Sequence, residues 1–251
     1  MAAAQLHVGT SGWCYAHWAQ GRFYPKGLRQ GEWLRFYAEQ FSTVELNASF
    51  YRLPKTEMAA RWREITGARF LFAVKLWRRI THDKKLEDCT DELRGFLAAV
   101  EPLGTKRGPL LVQLPPGMRC DAGRLDRFLE ELGRQSTGHH WRVTVEFRND
   151  TWLVDEVYGV LDRHKASVCL ADMGRCPITR PNDVDFVYIR RHGPAGSYRG
   201  CYSLDELRHD ARQIRRWLNA GRDVYVYFNN DAEANAVTNA RELIDLLDGR
   251  S

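Results

Sequence analysis

The chain has 251 residues, 44% of them hydrophobic and 27% charged, with a formal net charge of +5. That composition suits one large globular domain or two small ones. No run approaches the roughly 18 consecutive apolar residues of a membrane helix, and the opening MAAAQLHVGT lacks the basic and apolar regions of a signal peptide. A cytoplasmic protein with no membrane partner is therefore expected.

Six cysteines (Cys14, Cys89, Cys120, Cys169, Cys176, Cys201) are scattered without a C-x-x-C pair, and read as free thiols in a reducing compartment. Cys14 is the one to watch as a nucleophile, although a plain packed thiol is the stronger reading. Arginine carries the positive balance, 30 residues against 7 lysines. Arginine suits bidentate contacts to phosphate and carboxylate, yet most of these residues fall on polar helix faces such as RQIRRW (212–217). Codon bias and a solvated surface account for most of them.

In chain order, period-2 apolar runs alternate with helical-period segments. LHVGTS (6–11) predicts a first strand, followed by an aromatic loop and a helix near 31–40. STVELN (42–47) predicts the second strand and TEMAARWREI (56–65) a helix. RFLFAVKL (69–76) predicts the third strand, and TDELRGFLAAV (90–100) a helix capped by Thr90. GPLLVQL (108–114) predicts the fourth strand, and AGRLDRFLEELG (122–133) a helix closed by Gly133. WRVTVEF (141–147) predicts the fifth strand and LVDEVYGVLDRH (153–164) its helix.

SVCLAD (167–172) predicts the sixth strand, with an irregular segment behind it. VDFVYIR (184–190) predicts the seventh, and 203–221 a helix with Ser203 as N-cap and Gly221 past its end. DVYVYFNN (223–230) predicts the eighth strand, and 232–247 the closing helix. Eight strands, mostly each followed by a helix, in about 250 residues match a single-domain (β/α)8 TIM barrel over 1–251. The competitor, a doubly wound open sheet, usually carries G-x-G-x-x-G after its first strand. G-T-S-G-W does not match that pattern.

Strand alternation then sorts the polar residues. The inward positions are Glu45 and Asn47, Lys75, Gln113, Glu146 and Arg148, and Asp172. Strand seven offers Tyr188, Arg190 and His192, and strand eight Tyr225, Tyr227 and Asn229. Nearly all lie in the C-terminal halves of their strands, where a barrel holds its active site. So many strands converging at one level favour a ligand site over a self-satisfied polar plug.

Several motifs together resemble the YecE-like family, whose members have no assigned reaction. They are GTSGWCYAHW (9–18) with FYP (23–25), VELNASFY (44–51), FAVKLWRRITH (72–82), LLVQLPP (110–116), VEFRNDTW (145–152), YIRRHG (188–193) with Y-RG-YS (198–203), and VYVYFNND (224–231) with NA (239–240). The match covers almost the whole chain in order, and the resemblance implies a TIM barrel. The segment after ITHDKKLEDC looks shorter than the family pattern.

A catalytic metal is not expected. Glu45, Glu146, Asp172 and His192 are ligand types, but Lys75, Arg148 and Arg190 would repel a divalent cation. No other cofactor is implied. Lys75, Arg148, Arg190 and His192 can instead clamp a phosphate or carboxylate. Asn229 and Asn230, ahead of the last helix, can cap it and meet an anion.

Glu45 or Glu146 is the candidate acid–base group. Glu146 is held ionised by Arg148, and Glu45 has no basic neighbour on its own strand and so a candidate raised pKa. His192 is a candidate proton carrier, and Lys75 a candidate Schiff base or ion-pair partner. Trp13, Tyr15 and Tyr51 belong to an aromatic group that forms either a stacking platform or a hydrophobic lid. The leading expectation is a hydrolase, lyase or isomerase acting on a small anionic, sugar-like substrate. The alternatives are a nucleic-acid-binding or -processing barrel and a non-catalytic metabolite-binding protein. Oligomeric state is not legible.

Overall fold

A computed structural model describes residues 3–136, 140–173 and 176–249. Eight strands follow one another in the order β1-β8-β7-β6-β5-β4-β3-β2, each preceded or followed by helix. That is the strand order of a (β/α)8 TIM barrel, the expected fold class. The chain divides into two compact units. Unit 1 comprises Met1–Glu45, Leu170–Thr179 and Asp185–Ser251, and unit 2 comprises Leu46–Cys169 and Arg180–Val184.

Unit 1 contains β1 (Leu6–Thr10), α1 (Trp33–Gln40) and β2 (Thr43–Leu46) as far as Glu45. After the end of β6 (Ser167–Ala171) it continues with β7 (Phe186–Arg191), α7 (Leu204–Asn219), β8 (Asp223–Phe228) and α8 (Asn235–Asp248). Parallel pairing sets His7 beside Tyr225 and Tyr188 in one row, and Gly9 beside Tyr227 and Arg190 in the next. Gly9 is required there, because a Cβ would lie 2.3 Å from the carbonyl oxygen of Thr43. α7 begins at the predicted N-cap Ser203, which forms a capping box with Glu206. Its buried Leu207, Ala211 and Ile214 recur at helical spacing and cover one face.

Unit 2 contains α2 (Ala48–Tyr51), α3 (Thr56–Ile65), β3 (Leu71–Lys75), α4 (Thr90–Val100), β4 (Arg107–Gln113), α5 (Ala122–Gln135), β5 (Val143–Glu146) and α6 (Asp155–Arg163). β4 and β5 pair in parallel, with Gln113 opposite Glu146. α5 buries Leu125, Phe128, Leu129 and Leu132 at i, i+3, i+4 and i+7.

Several boundaries differ from the predicted ones. Thr90 is the first residue of α4, and the capping position is Cys89, which makes no side-chain cap bond. Gly133 lies inside α5, which runs on to Gln135 because Ser136 N–H still reaches the Leu132 carbonyl. The last helix is preceded by a 3-10 turn, Ala232–Ala234, in which Glu233 and Ala234 have positive φ. The elements that were not predicted include the one-turn helix α2 and a single π turn, Arg79–Asp83. Among the described residues, no helix is long and apolar enough to cross a membrane.

Candidate functional site

In unit 1 the chemistry begins at the C-terminal end of β2. Glu45, fully buried, receives four donors. Ser11 Oγ donates to Oε1 at 2.7 Å, and Tyr188 donates its hydroxyl to Oε2 at 2.7 Å. Arg190 closes a fork, Nε to Oε2 at 3.0 Å and Nη2 to Oε1 at 2.8 Å. A guanidinium and two hydroxyls all donating leave Glu45 in the role of an acceptor carboxylate. Its strand carries no basic neighbour, but β7 supplies one.

Arg190 also reaches His192, with Nη1 3.3 Å from Nε2. A guanidinium can only donate, so Nε2 accepts and Nδ1 bears the proton, facing Asp172 Oδ1 at 3.2 Å. The His192 backbone N–H donates to the same oxygen at 2.8 Å. Asp172 Oδ2 accepts from the Tyr202 hydroxyl. Burial pushes the Asp172 carboxyl up, but the His192 and Tyr202 donors together with Arg191 outweigh it and hold it below its usual range. His192 is thus a fully buried ring engaged at both nitrogens.

The loop after β7 uses Gly193 to turn back, at φ +96°. Its N–H donates to Tyr202 Oη at 2.6 Å. Asn229 and Asn230 do not cap α8. Its N-cap is Ala234, with no side-chain cap bond. Asn230 instead donates to the Gly200 carbonyl at 2.8 Å and to Asn239 Oδ1 at 3.0 Å. Of the aromatic loop, Trp18, Phe23 and Tyr24 are buried, with Tyr24 stacked on Trp33 at 4.6 Å. Those three form core. Trp13 and Tyr15 are half-buried, and Tyr15 donates its hydroxyl to the Ser11 carbonyl. A cavity of about 420 Å³ in this unit is lined by His17, Arg22, Tyr198, Arg199, Asp231 and Glu233, none of them a predicted site residue.

In unit 2 the strands end in a second polar group. Glu146, the last residue of β5, is fully buried and lies 2.6 Å from Arg148 Nη2, the ion pair the sequence predicts. Gln113 is fixed by donating to the Leu114 carbonyl at 2.7 Å. Lys75 ends β3 with 8% of its surface exposed, its ammonium 4.1 Å from the centre of the Phe50 ring. That is a cation–π contact. Ser49 Oγ, 2.7 Å from the carbonyls of both Leu46 and Lys75, ties α2 to β3 and so holds Phe50 there. Asn47 occupies the N-cap position of α2 without a side-chain cap bond, and Tyr51 is 71% exposed.

His82, in the π turn after β3, was not among the predicted site residues. It stands edge-on to the same Phe50 ring, 4.9 Å away at 79°, and its Nδ1 is 2.8 Å from Thr81 Oγ1. Burial, then the nearby charges of Lys75 and Arg78, push its imidazole down to about 4, with Arg148 adding to the effect and Asp83 opposing it. Its signal lay in the run FAVKLWRRITH, where a histidine closes a segment that starts as a strand. Tyr202 and Asn239 were likewise present only as parts of longer motifs. Among the described residues, no group of three or more His, Cys, Asp or Glu side chains is placed to hold a metal ion.

A family model described as "Protein of unknown function DUF72" matches residues 7–251. The UPF0759 protein YunF of Bacillus subtilis (strain 168) is 26% identical over 97% of this chain and 95% of its own length. The UPF0759 protein YecE of Escherichia coli (strain K12) is 34% identical over 110 residues, 44% of this chain and 38% of that protein. The crystal structure of a DUF72 family protein from Thermotoga maritima MSB8 superposes with a TM-score of 0.85 at 26% identity, covering 97% of this chain and 99% of that one.

Proposed function

The chain belongs to the DUF72 family, described as proteins of unknown function, and from its side chains we propose an enzyme that acts on a small anionic, sugar-like substrate. The reaction class is a hydrolysis, an elimination or an isomerisation. In unit 2, Lys75 and Arg148 hold the anionic group, Glu146 is the acid–base carboxylate, and Gln113 and Asn47 orient the substrate. In unit 1, the Glu45–Arg190 fork and the His192–Asp172 pair keep the ends of β2 and β7 in place, beside Asn229.

The observation that supports this reading is Lys75. Lys75, with 8% of its surface exposed, holds its ammonium against an aromatic face at the end of β3, a position that suits an incoming anion. The test is calorimetric titration with inorganic sulfate of the wild type, K75M and R148M. Each substitution is expected to weaken sulfate binding by at least about tenfold, the loss of one charge-assisted contact. Sulfate affinity unchanged in both variants overturns the assignment.

A further inference from the structure

Three loops of unit 1 meet around the cavity of about 420 Å³. They leave the C-terminal ends of β1, β7 and β8, which are neighbours in the sheet. That is the face on which β/α barrels bind ligands. The first loop brings His17 and Arg22, the second Tyr198 and Arg199, and the third Asp231 and Glu233. We propose that this cavity binds a neutral saccharide, with a sugar face on the Tyr198 ring and hydroxyls on the charged rim. The inference goes beyond the anion site of unit 2 and does not rest on it.

The rim is balanced in charge, two arginines against two carboxylates. An anion drawn by Arg22 and Arg199 would also meet Asp231 and Glu233, which disfavours a phosphate here. Sugar hydroxyls both donate and accept, and the rim offers partners of both kinds: arginine only donates and a carboxylate only accepts. Among the described residues, neither guanidinium is taken by an ion pair or a hydrogen bond, and nor is the Glu233 carboxylate. His17 adds a further acceptor. Its Nε2 lies 2.7 Å from the Asp231 carbonyl oxygen, which also accepts from Trp18 Nε1 at 2.8 Å. A carbonyl cannot donate, so Nε2 carries the proton and Nδ1 of the neutral ring is the accepting nitrogen.

Tyr198 supplies the flat apolar surface. It is 41% exposed, yet its ring is fixed from behind, standing across the buried His192 ring at 5.4 Å and 82°. Its backbone N–H donates to the His192 carbonyl at 2.6 Å. An aromatic face held at a cavity wall suits the C–H face of a pyranose. Backbone strain marks the same loops. Gln20, Tyr198, Glu233 and Ala234 make up half of the eight non-glycine residues with positive φ among the described residues. Such conformations persist where the surroundings enforce them, and they collect at ligand sites. The cavity volume also falls in the range of small-molecule sites, about 300–1,000 Å³.

Saturation-transfer NMR on the full chain tests the proposal, with methyl β-D-glucoside, methyl β-D-galactoside, methyl α-D-mannoside and maltose as probes. At least one probe is expected to show transfer to its ring protons with the wild type. Y198G is expected to weaken binding of that probe by about tenfold, the loss of one aromatic face, and Y198F to retain it. E233G is expected to weaken it as well, through the lost acceptor. Glycine adopts the positive φ of both positions without steric cost, so a loss of binding reads the side chain and not the fold. Transfer to none of the four probes overturns the proposal, as does wild-type affinity in both glycine variants. The sulfate titrations of K75M and R148M read the other site, so either reading can fail alone.

Discussion

Arg190 and Glu45 face each other across 145 residues of sequence through two parallel hydrogen bonds of 3.0 and 2.8 Å, both side chains buried. Removing one partner leaves a buried charge without its counterpart, which costs about 3–5 kcal/mol. R190M and E45Q are therefore expected to lower unfolding stability by that order in urea. The double variant E45L/R190M is expected to lose less than the sum, because two apolar groups strand no charge. Additive losses would show that the fork contributes nothing as a pair.

His82 gives a pH dependence of definite sign. Its folded value near 4 lies below the ordinary histidine value of 6.5, so the unfolded chain binds the proton first as pH falls. The stability is present in full above about pH 6.5 and is lost as pH falls towards 4. Chemical denaturation at several pH values is expected to show this slope in the wild type and a shallower one in H82N. An NMR titration placing the His82 midpoint at or above 6.5 would reject the assignment of its surroundings.

Asn239 joins three segments of unit 1. Its Oδ1 accepts from Tyr202 N–H and from Asn230, both at 3.0 Å, and its amide donates to the Tyr202 carbonyl and to Glu242. N239A leaves a buried backbone N–H without its acceptor, at about 1–3 kcal/mol. Faster hydrogen exchange at Tyr202 is expected alongside. Unchanged exchange there would place the anchoring elsewhere.

Gly193 has φ +96°, and a Cβ on it would sit 2.2 Å from the Arg199 carbonyl oxygen. G193A is expected to destabilise by about 1–3 kcal/mol through backbone strain, and to disturb the Tyr202 hydrogen bond to Gly193 N–H. A melting temperature equal to the wild type's would show that the loop re-forms without cost.

Ser203 is the test of a feature read directly from sequence. S203A removes the side-chain half of the capping box on α7 and is expected to cost about 1 kcal/mol. Thermal unfolding of S203A and S203D separates the cap from the hydroxyl, since aspartate serves as N-cap equally well.

The sequence by itself determined the order of strands and helices, the fold class, the Ser203 cap and the Glu146–Arg148 pair. Each of these rests on local information. Hydrophobic period is carried by residues a few positions apart, and Glu146 and Arg148 are two residues apart on one strand. It also led to polar residues at strand ends, because alternation alone tells which side chains share a face. Element ends were less legible. Gly133 stays helical and Thr90 is not a cap, because a terminus is decided by which backbone groups find partners.

Only the tertiary structure decided which donor meets which carboxylate. Glu45 looked free of basic neighbours along its strand, and Arg190 arrives from β7. Asn230 looked like a helix cap, and its amide is taken by Gly200 and Asn239. His82 drew no notice in the sequence, since a lone histidine after a strand has many bland readings. Its character comes from burial first, and then from Lys75, Arg78, Arg148 and the Phe50 ring. Electrostatic environment is a sum over distances in space, and a sequence lists only separations along the chain.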